Sequence, residues 1–211
     1  MREKIRTQGD LSATSLAHQQ AKNLGPDHYR LWSRNVADKF KDMPEEDIKE
    51  VLKNSGYPFA VCFEHWIGDF NMATGIRNAN AFNAKEVFYV GDKKWDRRGA
   101  VGVHNYTEVQ WLSTLDELEK LQERYVIVGI DNVPGSVSIS SYRFPRNTLM
   151  VFGEEGVGLT PGMQAFCQDI VHINMSGTVR SFNCGTASGI AMFAYTEYQN
   201  RLSHSVEEKE F

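Results

Sequence analysis

Val126-Ile-Val-Gly-Ile130 carries no polar side chain, and this run most limits what the chain can fold into. A strand that is apolar at every position needs cover on both faces, as in a parallel sheet sandwiched between helices. Shorter apolar runs repeat the signal. Phe59 to Phe63, Glu86 to Val90, Thr148 to Phe152 and Asp169 to Ile173 are predicted strands, and the central strand is predicted over Tyr125 to Ile130. Between them lie helical segments: Asn71 to Phe82, a helix opened by the capping-box pattern Thr114-x-x-Glu117 and running to Arg124, and a last helix over Phe182 to Leu202. Strands alternating with helices imply an α/β domain with a mostly parallel sheet and helices on both faces.

The 211 residues suffice for one such domain with an extension. Residues 1–55 read as a small helical extension and 56–211 as the main domain. A helix over Ser12 to Asn23 stops before Gly25-Pro26. Pro26 suits the first turn of a second helix with an apolar face of Tyr29, Trp32, Val36 and Phe40. Pro44 with Glu45, Glu46 and Asp47 starts a third, which Gly56 ends. No apolar run approaches the length of a membrane span, and MREKIRTQGD has no apolar leader. A cytoplasmic protein without membrane contact is expected.

The net charge of -4 argues against a chain dedicated to nucleic acid by bulk charge. The charge is uneven, however. Residues 1–41 are basic, and Lys93, Lys94, Arg97 and Arg98 form a second cluster. An acidic protein can present a basic face. Cys62, Cys167 and Cys184 are widely spaced and odd in number, so reduced buried thiols are expected. The histidines show no metal-ligand spacing, and no metal is expected.

Three segments carry polar chemistry at the ends of these elements. Asn71-Met-Ala-Thr-Gly-Ile-Arg77 places an amide and a guanidinium around one helix. Gly153, Gly156 and Gly158 follow a strand, where glycine lets backbone amides approach a ligand. Their spacing is not the dinucleotide fingerprint, which excludes a nucleotide-dependent oxidoreductase. Ile173-Asn-Met-Ser-Gly177-Thr-Val-Arg-Ser181-Phe-Asn183 leads from strand into helix, and helix N-termini offer free amides to polar ligands. Inside that helix Gly185 and Gly189 cost roughly 1 kcal/mol each against alanine. Such a cost points to close helix contact, here expected at a subunit interface.

In this order the segments resemble the SPOUT methyltransferases, specifically the SpoU/TrmH family of RNA 2'-O-ribose methyltransferases. Asn71 to Ala79 is similar to N-x-G-x-x-x-R-x-A, with Ala73 where glycine is usual. Phe152 to Leu159 is similar to F-G-x-E-x-x-G-L, and Ile173 to Asn183 to I-P-M-x-G-x-x-x-S-L-N. Asn174 replaces the proline, Phe182 the leucine, and Cys184-Gly185 the usual Val-Ser. The resemblance spans residues ~58–202 and leaves the N-terminal extension outside.

The resemblance implies a deep trefoil knot near the C-terminus, a homodimer with the active site at the subunit interface, and S-adenosylmethionine as methyl donor to tRNA or rRNA. It implies catalytic roles for Arg77, Asn71, Glu155, Ser181 and Asn183, and donor binding by Phe152, Gly153, Gly156, Leu159, Ile173, Met175, Gly177 and Ser181. Arg77 would sit beside the 2'-OH, where the family assigns a general base. The alternative is a non-catalytic RNA-binding or dimerisation module on the same fold.

Overall fold

The computed structural model describes residues 36–64, 69–154 and 156–207, with Asn23 and Gly25 besides. The expected first helix, the start of the second and Glu155 lie outside the described residues. The chain divides into two compact units, residues 1–44 and 45–211. In the first unit the helix expected to reach Phe40 does not run through residues 36–40. Ala37 is extended at ψ 149°, and a separate 3₁₀ turn covers Asp38–Phe40. Lys41 closes that turn through an ion pair with Asp38 at 2.7 Å.

The second unit opens with α1, Glu45–Ser55, whose first turn is acidic, as suits the helix dipole. Then come β1 (Tyr57–Phe63), α2 (Asp69–Ala81) and β2 (Ala84–Val90). Two 3₁₀ turns, Arg97–Ala100 and Val103–Asn105, precede β3 (Val109–Leu112) and α3 (Glu117–Gln122). The remainder is β4 (Val126–Ile130), β5 (Val137–Ser138), β6 (Thr148–Phe152), α4 (Pro161–Phe166), β7 (Asp169–His172) and α5 (Cys184–Glu207). The seven strands form one sheet in the order β3-β2-β1-β6-β4-β7-β5. Every pairing is parallel.

Alternation along the strands splits the core in two, because successive side chains point to opposite faces. Phe59, Val61 and Phe63 of β1 join Val128, Met150 and Phe152 under α2 and α5, where Ile76, Met192 and Tyr195 are buried. Ala60 and Cys62 join Ile127, Leu149 and Val151 on the other face, under Leu118, Leu121 and Met163. The central strands are thus covered on both sides, as their composition requires.

Three elements have weak sequence signals. The edge strands β3 and β5 are short and partly exposed, so no apolar run marks them. Helix α4 has one readable cue: Thr160 caps it through Met163 N, with Pro161 in the first turn. Helix α5 starts two residues later than expected because Asn183 is its cap. The Asn183 Oδ1 accepts from Thr186 N at 3.3 Å, and its carbonyl accepts from Ala187 N at 2.8 Å.

The glycines of α5 serve a contact within the chain. A Cβ on Gly185 would lie 2.9 Å from the Thr74 side chain, and one on Gly189 3.2 Å from Asn78. Asn78 Nδ2 donates to the Gly185 carbonyl at 2.8 Å and to Ser188 Oγ at 3.0 Å. The missing side chains let α2 and α5 approach closely enough for these bonds. Among the described residues no helix is long and apolar enough to cross a membrane.

Candidate functional site

The loop after β6 is a tight hairpin. Glu154 N donates to the Gly158 carbonyl at 3.1 Å, and Gly158 N returns the bond at 2.8 Å. Gly156 and Gly158 have φ of +91° and +78°, where glycine alone is unstrained. Leu159 re-enters the core. Gly129 of β4 makes room for it, since a Cβ there would lie 2.7 Å from Leu159 Cδ1. The glycine in the most apolar strand therefore seats the end of the hairpin.

Two carboxylates absent from the expected site hold this loop. Asp131 directly follows β4, and its Oδ2 accepts from Leu159 N at 2.8 Å. Glu64 directly follows β1 and is buried. It accepts from Thr160 N at 2.9 Å and Thr160 Oγ1 at 2.5 Å. A carboxylate placed just past an apolar strand is the only sequence cue to either. Burial pushes the Glu64 carboxyl above its usual range; the Thr160 bonds oppose this, while Glu154 and Asp131 add repulsion.

The sign of the consequence follows from linkage. A carboxyl raised in the folded state costs nothing while both states are protonated, and costs more as pH rises through its folded value. Glu64→Gln escapes that cost. Its stability should rise relative to the native protein as pH climbs from about 4, the unfolded value, towards neutrality. Urea unfolding of both proteins across that range reads the difference. A gap that does not change with pH would contradict the assignment.

After β7 the chain returns across the carboxyl ends of the strands. Asn132, just past β4, donates to the Arg180 carbonyl at 3.4 Å. Cys184 Sγ donates to the Gly153 carbonyl at 3.5 Å, just past β6. Asn183 Nδ2 then donates to Asn71 Oδ1 of α2 at 2.8 Å. Asn174, which stands where the resemblance has proline, accepts from Ser138 Oγ of β5 at 2.5 Å. That bond ties the start of the return to the edge strand.

The expected site residues fall into three groups. Asn71 and Asn183 are joined directly. Arg77 and Ser181 are exposed, and neither side chain forms a hydrogen bond or ion pair among the described residues. At 100° per residue, Arg77 lies on the outward ridge of α2, between the face bonded to α5 (Asn71, Asn78) and the face where Asn80 bonds Thr107 at 2.9 Å. Phe152 and Leu159 are core side chains, 2% exposed each. Only their main chain can meet a ligand.

The return segment offers more to a ligand. Among the described residues its main chain from Asn174 to Val179 forms no hydrogen bond. Ile173 and Met175 are half-buried, and Gly177 has open space where a Cβ would point. This unpaired main chain follows β7 at the carboxyl edge of the sheet, where α/β folds bind ligands, and Cys184 beyond its end meets the Gly153 carbonyl of the hairpin. Among the described residues no group of three or more His, Cys, Asp or Glu is placed to hold a metal.

Comparison with known proteins bears on this geometry. The SpoU rRNA Methylase family profile matches residues 58–193. The 23S rRNA (guanosine-2'-O-)-methyltransferase RlmB of Acinetobacter baylyi is 25% identical over 157 residues, covering 71% of this chain and 63% of that protein. The chain thus spans under two thirds of the length of such relatives. The tRNA (guanosine(18)-2'-O)-methyltransferase of Saccharomyces cerevisiae is 28% identical over 88 residues, 39% of this chain and 6% of that protein. In fold, the A. aeolicus TrmH/SpoU tRNA modifying enzyme superposes with a TM-score of 0.67 at 18% identity, covering 75% of this chain and 84% of that one.

Proposed function

The chain belongs to the SpoU rRNA Methylase family, and on that premise we propose that it transfers a methyl group from S-adenosylmethionine to a ribose 2'-OH of tRNA or rRNA. The observation that carries this reading is the Asn183–Asn71 hydrogen bond. It ties the helix bearing Arg77 to the end of an open main-chain segment beside a glycine hairpin. Relatives that share the matched region are named as 2'-O-methyltransferases of rRNA and tRNA. A solved SpoU methyltransferase, AviRb from Streptomyces viridochromogenes, is described in complex with the cofactor AdoMet.

The residues fit such a donor. Open amides and carbonyls from Asn174 to Val179, with Ile173, Met175 and Gly177, suit the adenine and ribose. Gly153 and Gly156 supply backbone on the facing side. The donor, when bound, supplies an electrophilic methyl group. The chain must then align the hydroxyl, which accounts for much of the acceleration in such transfers. It must also stabilise the alkoxide that develops as the proton leaves. Arg77 takes that role, orienting the hydroxyl and the adjacent phosphate through its planar fork. Asn71, Ser181 and Asn183 position Arg77 and the substrate, and Glu155 orients Arg77 or the loop.

The return of the chain past β4 and β6 into α5 is the path on which we place the trefoil knot. The homodimer belongs to the same proposal, with the active site at its interface. Val179, Phe182 and Phe193 are 63%, 37% and 55% exposed around the start and outer face of α5, and a second copy would cover them. The basic N-terminal residues 1–41 are a docking candidate for RNA phosphates, and the reaction is assigned to the cytoplasm.

Incubation with methyl-labelled S-adenosylmethionine and total tRNA or rRNA, followed by mapping of 2'-O-methylation, tests the proposal. Label at a ribose 2' position is expected. Donor and RNA binding without transfer would instead establish the non-catalytic module.

A further inference from the structure

The basic cluster Lys93-Lys94-Trp95-Asp96-Arg97-Arg98 has no part in the chemistry above, yet it opens at the same edge of the sheet. It follows β2, which lies two strands from β6, about 10 Å away at ordinary strand spacing. Helix α2, with Arg77 on its outward ridge, packs against the Arg97–Ala100 turn.

The segment is held in shape by its own bonds. Trp111 Nε1 donates to the Gly91 carbonyl at 2.8 Å, and Tyr89 OH donates to the Lys93 carbonyl at 2.9 Å. Asp96 accepts from Arg98 N at 2.9 Å and pairs with the Arg98 guanidinium, which holds the Asp96 carboxyl below its usual range. That pairing uses up Arg98. Lys93, Lys94 and Arg97 have no carboxylate partner among the described residues.

Two of these cations lie over aromatic rings. Lys93 Nζ is 5.0 Å from the Trp111 ring centre, and the Arg97 guanidinium is 5.8 Å from that of Trp95. Trp111 is 38% exposed on an edge strand. A flat indole beside unpaired cations matches the two demands of single-stranded nucleic acid, stacking for the base and positive charge for the phosphate. An acidic peptide would use the cations alone.

We propose that residues 91–98 with Trp111 form a docking surface for a single-stranded RNA segment flanking the target nucleotide, Lys93, Lys94 and Arg97 meeting phosphates and Trp111 stacking on a base. This rests on the function proposed above and extends its substrate site along the sheet edge.

The test measures binding of labelled poly(U) by anisotropy over a salt series, with S-adenosylmethionine titration as a check on the fold. Lys93→Glu with Lys94→Glu should lower the slope of log affinity against log salt by about 1.4, at ~0.7 per phosphate contact. Trp111→Ala should weaken binding about tenfold, and Trp111→Phe should retain most of it. Lys53→Glu, in a cleft at the amino ends of β2 and β3, should change neither quantity. RNA binding by the native chain that Trp111→Ala leaves intact, or that Lys53→Glu weakens equally, overturns this docking surface alone. Loss in the lysine variant without loss in Trp111→Ala would mark a contact made by charge alone, and overturns it too. A native chain that binds no RNA overturns the function and this surface together.

Discussion

Arg77→Ala is expected to lower methyl transfer by on the order of 10²–10³, the loss found when one stabiliser of a developing anion is removed. The fold should be indifferent to the change. The Arg77 side chain is exposed and has no hydrogen bond or ion pair among the described residues, so its removal leaves no buried partner unsatisfied. Surface changes of that kind stay within about 0.5 kcal/mol. Donor affinity should also hold, because the proposed donor contacts come from the hairpin and the return segment. Arg77→Lys keeps the charge but loses the planar fork, and should remain well below the native rate. Single-turnover transfer beside a donor titration separates these effects. Native turnover in Arg77→Ala would remove Arg77 from the mechanism.

Gly153→Ala should act in the opposite way, on the fold first. A Cβ there would lie 2.1 Å from Gly158 C, 2.2 Å from Leu159 N and 2.4 Å from Gly158 O. All three atoms are main chain and cannot rotate aside. The Glu154–Gly158 hydrogen bonds would have to open, and Leu159 would shift against Gly129 and Asp131. Forced overpacking of this kind costs about 1–3 kcal/mol, and donor binding should fall with it. Gly177→Ala is the informative companion. Nothing lies within 4 Å of its Cβ position and its φ is not positive, so stability should stay within about 0.5 kcal/mol. If the donor packs on that glycine, affinity should drop all the same. Thermal melts with donor titrations of both variants check the pair. A stable Gly153→Ala would mean the hairpin yields more easily than its contacts imply.

Much of this protein was legible without coordinates. The apolar run through Val126–Ile130 demanded cover on both faces, and the parallel sheet between two helical layers supplies it. The glycine hairpin and the Asn71, Arg77 and Asn183 positions were marked because polar residues and glycines at strand and helix ends stand out from a core pattern. Composition and periodicity describe a residue's own element, and there they served well.

What they could not give is which elements meet. Glu64 and Asp131 are single acidic residues in the sequence, and only the sheet order brings them to the Thr160 and Leu159 amides. Gly185 and Gly189 announced a close contact but not its partner; tertiary packing shows it to be Thr74 and Asn78 of the same chain. The Asn71–Asn183 bond spans 112 positions. Local sequence fixes dihedral preference and the face a residue turns inward, whereas long-range partners follow from strand order and chain path, which no local pattern encodes.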